Sequence, residues 1–390
     1  MVTRTAVAGI TSTGSKRPDA LFGAGYDGPP LRMLRSAGSR VWDEAGAEYL
    51  DFVMALGAVA LGYAHPEVNR AVVDAVERGA VGPLPPVEEV ALAEELGRLI
   101  PGVEELRFLK TGAEAVAAAV RLARVHTGRD RVLGCGYHGW LDWCSRSGGV
   151  PQAIQSLYDE LPFNDIEQCT AMIRRAGDGL ACVVIEPVVD AAPSREWLAA
   201  VRAETRRAGA LLVFDEIKTA FRVGLGGAAG RWGGEPDLVV LGKALANGFP
   251  LAAVGGSARV MQGIGQTWIS STMATDFVAL AAARATLEVA VAEDLPGVLA
   301  SRGGTLLAGL ERLAERFPRL ATGARGIPEM CYLEWATEEL SGRVARECAR
   351  RGLLFKRNAY NFVSLAHSDA DIAVALDILE DVLRGLSLRA

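Results

Sequence analysis

Leu238-Val239-Val240-Leu241-Gly242-Lys243 is the stretch on which the reading of this chain turns. A short apolar run bounded by breakers has the length and composition of a strand buried on both faces, and the residue after it stands at its carboxyl end. Upstream, Leu211-Leu212-Val213-Phe214 leads in the same way into Asp215-Glu216. Two such runs predict parallel strands that deliver a lysine and an acid to the edge where ligands of open α/β sheets gather. The chain has only five lysines, Lys16, Lys110, Lys218, Lys243 and Lys356, and Lys243 has the best setting for a covalent amine. On spacing alone a strand-end lysine is more often a surface or phosphate-contacting group.

Working outward, strand-like runs recur at Leu106–Lys110, Arg131–Leu133, Cys182–Ile185 and Ala252–Val254, with helical patterns between most of them. That alternation predicts an α/β fold with a mainly parallel sheet covered on both faces. A hairpin is expected from Val41 to Phe52 around Glu44-Ala45-Gly46, and helices after Pro66, from Val87 to Leu99, and after Thr111 to about Thr127. Past Thr272 long helices are interrupted only by the strand-like Met330–Leu333 and Phe362–Leu365, which reads as a smaller α+β domain. The expected division is an N-terminal segment, 1–49, beside the small domain, a large domain, 50–275, and the small domain itself, 276–390.

The chain has 390 residues, half of them hydrophobic, enough for one large core and a smaller one. A net charge of −6 without a long basic run offers no footprint for nucleic acid, so small molecules are the expected partners. Cys135, Cys144, Cys169, Cys182, Cys331 and Cys348 are scattered with no CxxC pair, which gives neither a zinc site nor a disulfide framework. The Ala6–Ile10 stretch is too short for a signal-peptide core, and Arg284 and Glu288 interrupt the apolar segment around Val278. No membrane association and a cytoplasmic location are expected.

A strand followed by Thr111-Gly112-Ala113-Glu114 and a helix points free backbone N–H groups and a helix dipole at one spot, suited to phosphate, though Thr111 could simply cap the helix. Tyr137-His138-Gly139-Trp140 after the next strand could cover a planar cofactor, or be core. Asp215, closing a very apolar strand, needs a partner that a cationic ring nitrogen would supply. Phosphate, stacked ring, carboxylate and lysine together describe pyridoxal 5′-phosphate. With these residues the chain resembles the class III aminotransferases of fold type I, and within them the branch similar to glutamate-1-semialdehyde aminomutase. Matching stretches span nearly the full length: Ser15–Pro18, Trp42–Glu44, Leu61–Pro66, Arg121–Arg124 with Thr127–Arg129, Tyr137–Gly139, Asn164-Asp165, Glu186-Pro187, Phe214–Glu216 with Phe221-Arg222, Gly242–Ala244 with Asn247-Gly248, and Thr272.

The resemblance implies a large sheet of the seven-stranded type and a smaller α+β domain. It implies that Gly112 and Ala113 hold the phosphate through their amides, that Tyr137 and Ile217 cover the two ring faces, and that Asp215 keeps the ring nitrogen protonated. His138 belongs to the cofactor-binding set, and Lys243 is the Schiff-base lysine and the base that moves the substrate Cα proton. Thr272 would reach the phosphate of a neighbouring subunit, which makes a homodimer with shared sites. Glu186 would lie near the cofactor or be a structural acid. The expected activity is amino transfer from an amine donor to a ketone or aldehyde, in a biosynthetic pathway; an aminomutase or racemase could use the same residues. Leu21-Phe22-Gly23 stands where glutamate-1-semialdehyde aminomutases hold a carboxylate, which argues against that activity. Ser364 stands where many relatives carry an arginine paired with the Glu-Pro acid, so Glu186 is expected to lack that partner, with Lys356 and Arg357 as substitutes or surface charges. Gly224-Leu225-Gly226-Gly227 resembles half of a dinucleotide fingerprint, the remote oxidoreductase reading, but reads better as a mobile loop.

Overall fold

The apolar runs form the spine of a seven-stranded sheet. The computed structural model describes residues 6–26 and 28–388, and within them these runs become β1 (Glu105–Leu109), β2 (Arg131–Cys135), β4 (Leu180–Ile185), β5 (Leu211–Asp215), β6 (Leu238–Leu241) and β7 (Ala252–Gly256), to which the short β3 (Tyr158–Glu160), not marked by any such run, is added. Their order across the sheet is β1-β7-β6-β5-β4-β2-β3. β3, β2, β4, β5 and β6 pair in parallel, while β7 runs antiparallel between β6 and β1. Every residue of β4, β5, β6 and β7 is buried, which is why they read as continuous apolar runs. The long helix Gly112–Thr127 supplies one covering layer, its Ala115, Val116, Ala119 and Leu122 packed with Val184, Val213 and Val240 of the sheet. The other face packs Trp197, Leu198 and Val201 of the helix Arg195–Arg207 against Val183, Leu212 and Phe214.

This sheet belongs to a compact unit running from Pro66 to Gly297; the residues up to His65 and from Val298 onward make a second. The boundaries thus differ from the expected 50 and 275. The helix Phe277–Ala292 packs on Pro66–Glu77 and so stays with the sheet. In the second unit, Arg40–Asp43 and Glu48–Asp51 form the expected hairpin, with Asp43 Oδ1 accepting from the amides of Ala45 and Ala47 at 2.9 Å each. Met33–Ala37 pairs on one side of it and Leu353–Leu354 joins the other in parallel. A three-stranded sheet is built from Ala321–Ile327, Met330–Trp335 and Asn361–Phe362. The strand expected over Phe362–Leu365 is therefore shorter and earlier, because Ser364 turns into a bonded contact with His367. No described helix is long and apolar enough to cross a membrane.

Candidate active site

Parallel register sets the site. Cys135 lies opposite Ile185, Ile185 opposite Phe214, and Asp215 opposite Val240, so these strands end together at one edge. Off that edge come Tyr137 and His138, Glu186, Asp215 itself, and Gly242-Lys243. β1 ends at the same side and runs straight into Thr111 and Gly112.

Asp215 is 2% exposed. His138 Nδ1 donates to its Oδ2 over 2.8 Å, and the Ile217 amide donates to Oδ1 at 3.3 Å. His138 Nε2 is buried without a hydrogen-bond partner among the described residues, an orphan that fits a site completed by something the chain does not supply. Lys243 follows an extended Gly242 and takes φ +43°, the left-handed region that residues with a Cβ avoid. Burial first, then the nearby charge of Lys218, pushes its amine down to about 8. Part of the chain's amine population is thereby neutral, hence nucleophilic, near neutral pH.

The turn at Thr111 caps its helix and leaves the next two amides unbonded within it. Thr111 caps the helix by accepting from the Glu114 amide at 3.2 Å, and Glu114 returns the bond to the Thr111 amide at 2.9 Å. Gly112 and Ala113, the first two helical positions, have amides with no carbonyl inside the helix to bond, so they remain available to an anion. Glycine at the first of them leaves room for Ile217, whose Cδ1 would stand 2.5 Å from a Cβ placed there and would have to shift. Ile217 thus lies between the turn and the lysine, closing on Gly242 as well. Tyr137 is 70% exposed and Thr272 is exposed in the short helical turn Thr272–Thr275. Of the expected set, Gly112, Ala113, Tyr137, His138, Glu186, Asp215, Ile217 and Lys243 come to this one edge.

The class-III aminotransferase family matches residues 22–383. The chain belongs to that family. It is 33% identical to glutamate-1-semialdehyde 2,1-aminomutase of Desulfitobacterium hafniense over 394 aligned positions, covering 92% of this chain and 91% of the relative. The FumI protein of Sphingopyxis sp. MTA144, solved with PLP, superposes with a TM-score of 0.87 at 26% identity, over 94% of this chain and 93% of that one. An omega-transaminase from Sphaerobacter thermophilus superposes with a TM-score of 0.84 at 28% identity, over 95% and 96%. The fold is fold type I, and the enzyme is a pyridoxal-phosphate-dependent aminotransferase. The buried acid, the orphaned histidine nitrogen beside it and the unbonded amides of the Gly112 turn fit that cofactor.

Three details of this class-III enzyme depart from the sequence reading. Glu186 is not left without a cation: Lys218 Nζ lies 3.0 Å from its Oε1, and the Tyr137 amide donates to Oε2 at 2.8 Å. Arg357 is not a solvated surface charge, being 7% exposed and bonded to the Ala20 carbonyl at 3.0 Å and Ser341 Oγ at 3.2 Å. Gly224–Gly227, read as a mobile loop, leads into a short helix whose Ala228 and Ala229 amides donate to the buried Glu216 at 2.8 Å each. Burial holds that carboxyl above its ordinary range. Lys110 is committed to Asp276 and to the Pro250 carbonyl, so it does not compete with Lys243. The residue that the sequence reading passed over is Lys218. Its only signal was position, just after Asp215 in a chain poor in lysine.

Proposed function

We propose that this enzyme moves an amino group between an amine donor and a ketone or aldehyde acceptor in a biosynthetic pathway, with Lys243 and Asp215 as its catalytic pair. The carrying observation is the Lys243 amine, which follows the end of β6, the strand paired with β5 and its terminal Asp215, and is held down to about 8 by burial and the nearby Lys218. When bound, pyridoxal 5′-phosphate supplies an aldehyde that takes up amines and a ring that accepts the electron pair left by a departing Cα proton. The residues of this chain do the rest. The Gly112 and Ala113 amides bind the phosphate, and Tyr137 and Ile217 orient the ring from its two faces. Asp215, held by His138, keeps a proton on the ring nitrogen. Lys243 Nζ anchors the cofactor, then takes and returns the substrate Cα proton. Thr272, exposed on its turn, is read as reaching the phosphate of a second copy, which makes the working unit a homodimer.

Within this chemistry a second outcome is supported by the 33% identity to aminomutases: the amino group could return to the same carbon skeleton. Loading the purified chain with the amine form of the cofactor, and asking which carbonyl compounds restore the aldehyde form, separates the two. Release of a free keto product from the donor supports transfer, whereas isomerisation without any released partner supports the mutase. Borohydride reduction followed by peptide mapping checks the anchor. Label on Lys243 is expected; label on Lys110 or Lys218 overturns the assignment.

A further inference from the structure

Two contacts tie the Gly136–Gly139 turn to the segment that follows β5. At one end His138 Nδ1 donates to Asp215 Oδ2 over 2.8 Å. At the other, the Tyr137 amide donates to Glu186, and Glu186 is held at 3.0 Å by Lys218. Asp215 and Lys218 stand in one short segment, so the circuit Asp215, His138, Tyr137, Glu186, Lys218 closes on itself. It is also dry, for the Lys218 and Glu186 side chains are only 8% and 10% exposed. Gly136 leaves no slack in it: at φ +100° a Cβ would come within 2.6 Å of Glu186 Oε2. A buried carboxylate that has lost its cation is strongly unfavourable, so the acid keeps this geometry only while the ammonium is present.

We propose that Lys218 is a second active-site cation and a positioning residue: through Glu186 it fixes the turn that carries Tyr137 and His138, and its ammonium is part of the charge that Lys243 faces. The inference rests on the reading of Lys243 as the cofactor-anchoring amine. Lys243 faces four charged groups, Lys218 and Arg222 from the loop after β5, Asp215 at the end of β5, and Glu186 at the end of β4. The two cations hold its amine toward neutrality and the two acids oppose them. Loss of Lys218 removes a cation and uncovers an acid. Both changes act in the same direction, toward a more strongly protonated Lys243.

The test uses the cofactor-free chain, whose Lys243 is titrated by competitive trace acetylation with acetic anhydride from pH 6 to 11, read by peptide mass. The wild-type midpoint is expected near 8. Lys218→Met should move it up by roughly one unit or more, Glu186→Gln should move it down, and Lys218→Arg should leave it close to wild type. Hydrogen exchange of the peptide carrying Tyr137 should quicken in Lys218→Met and recover in Lys218→Arg. Opposite shifts from the two partners are not what general loosening would give, and circular dichroism identifies any variant that has not folded. An unmoved midpoint in folded Lys218→Met, or shifts of the same sign in both variants, overturns the proposal. Borohydride mapping of the wild type is read separately: label away from Lys243 would defeat the functional reading while leaving the acetylation result intact.

Discussion

Asp215 ends a strand in which every residue is buried, and a carboxylate in that position is tolerable only with partners. It has one strong bond, from His138, and a longer one from the Ile217 amide, which leaves lone pairs facing the edge of the sheet. Replacing Asp215 by Asn keeps the shape but removes the charge that a protonated ring nitrogen would meet. Exchange of the substrate Cα hydrogen with deuterated solvent is expected to slow by about two to four orders of magnitude, with the circular dichroism spectrum unchanged. Unaltered exchange would make Asp215 a structural residue. The placement of Asp215 and Lys243 at one edge of the sheet could be read from sequence because each comes at the end of a continuous apolar run, a local signal. Lys218 could not be given its role, because the acid that holds it lies on another strand and nothing local marks the pair.

At the scale of elements, the turn between β1 and its following helix separates two functions that one peptide performs. Thr111 caps; Gly112 makes room. Thr111→Ala removes the hydroxyl that accepts from Glu114 and should cost about 1 kcal/mol of stability, with little change in cofactor affinity because the amides remain. Gly112→Ala should do the reverse. Its Cβ would push Ile217 Cδ1 aside, shifting the wall of the site, and cofactor titration followed by absorbance should show weaker binding with a smaller change in thermal midpoint. Equal effects of the two substitutions on binding would mean that the amides are not the phosphate contact. The buried central strands were legible for the same reason that they are stable. The missed ones lie where burial leaves no pattern: Met33 and Leu34 of Met33–Ala37 are 61% and 69% exposed, and Ala321–Ile327 carries Gly323, Arg325 and Gly326 instead of alternating apolar residues. β3 is a three-residue edge strand, too short for any periodicity.

At the scale of the whole chain, two cores form, and the one without the large sheet contains a titratable group that its packing keeps neutral. His367 is fully buried against Phe52, with ring centroids 4.3 Å apart. Its Nδ1 accepts from the Ser364 amide at 3.0 Å, and its Nε2 donates to the Asp51 carbonyl at 3.1 Å. Burial makes the charged ring costly and holds its titration down to about 4, and a second proton would also have to go on Nδ1, against the Ser364 N–H. Unfolded, the same histidine titrates near its ordinary value of about 6.5. Between those two values the unfolded chain binds the extra proton and the folded one does not, so stability rises with pH through that window and is lost as pH falls through it. The amount at stake is on the order of 3 kcal/mol. Asp51 has its own carboxyl raised by burial and acts in the opposite sense, but it is common to any pair of chains differing only at His367. His367→Gln retains a donor for the Asp51 carbonyl and cannot titrate. It should be less stable than the wild type at pH 7, yet its urea midpoint should fall less between pH 6.5 and 4.5, so that the two chains converge in acid. Parallel decline of both midpoints across that interval would show that His367 is not the group through which acid loosens this part of the molecule.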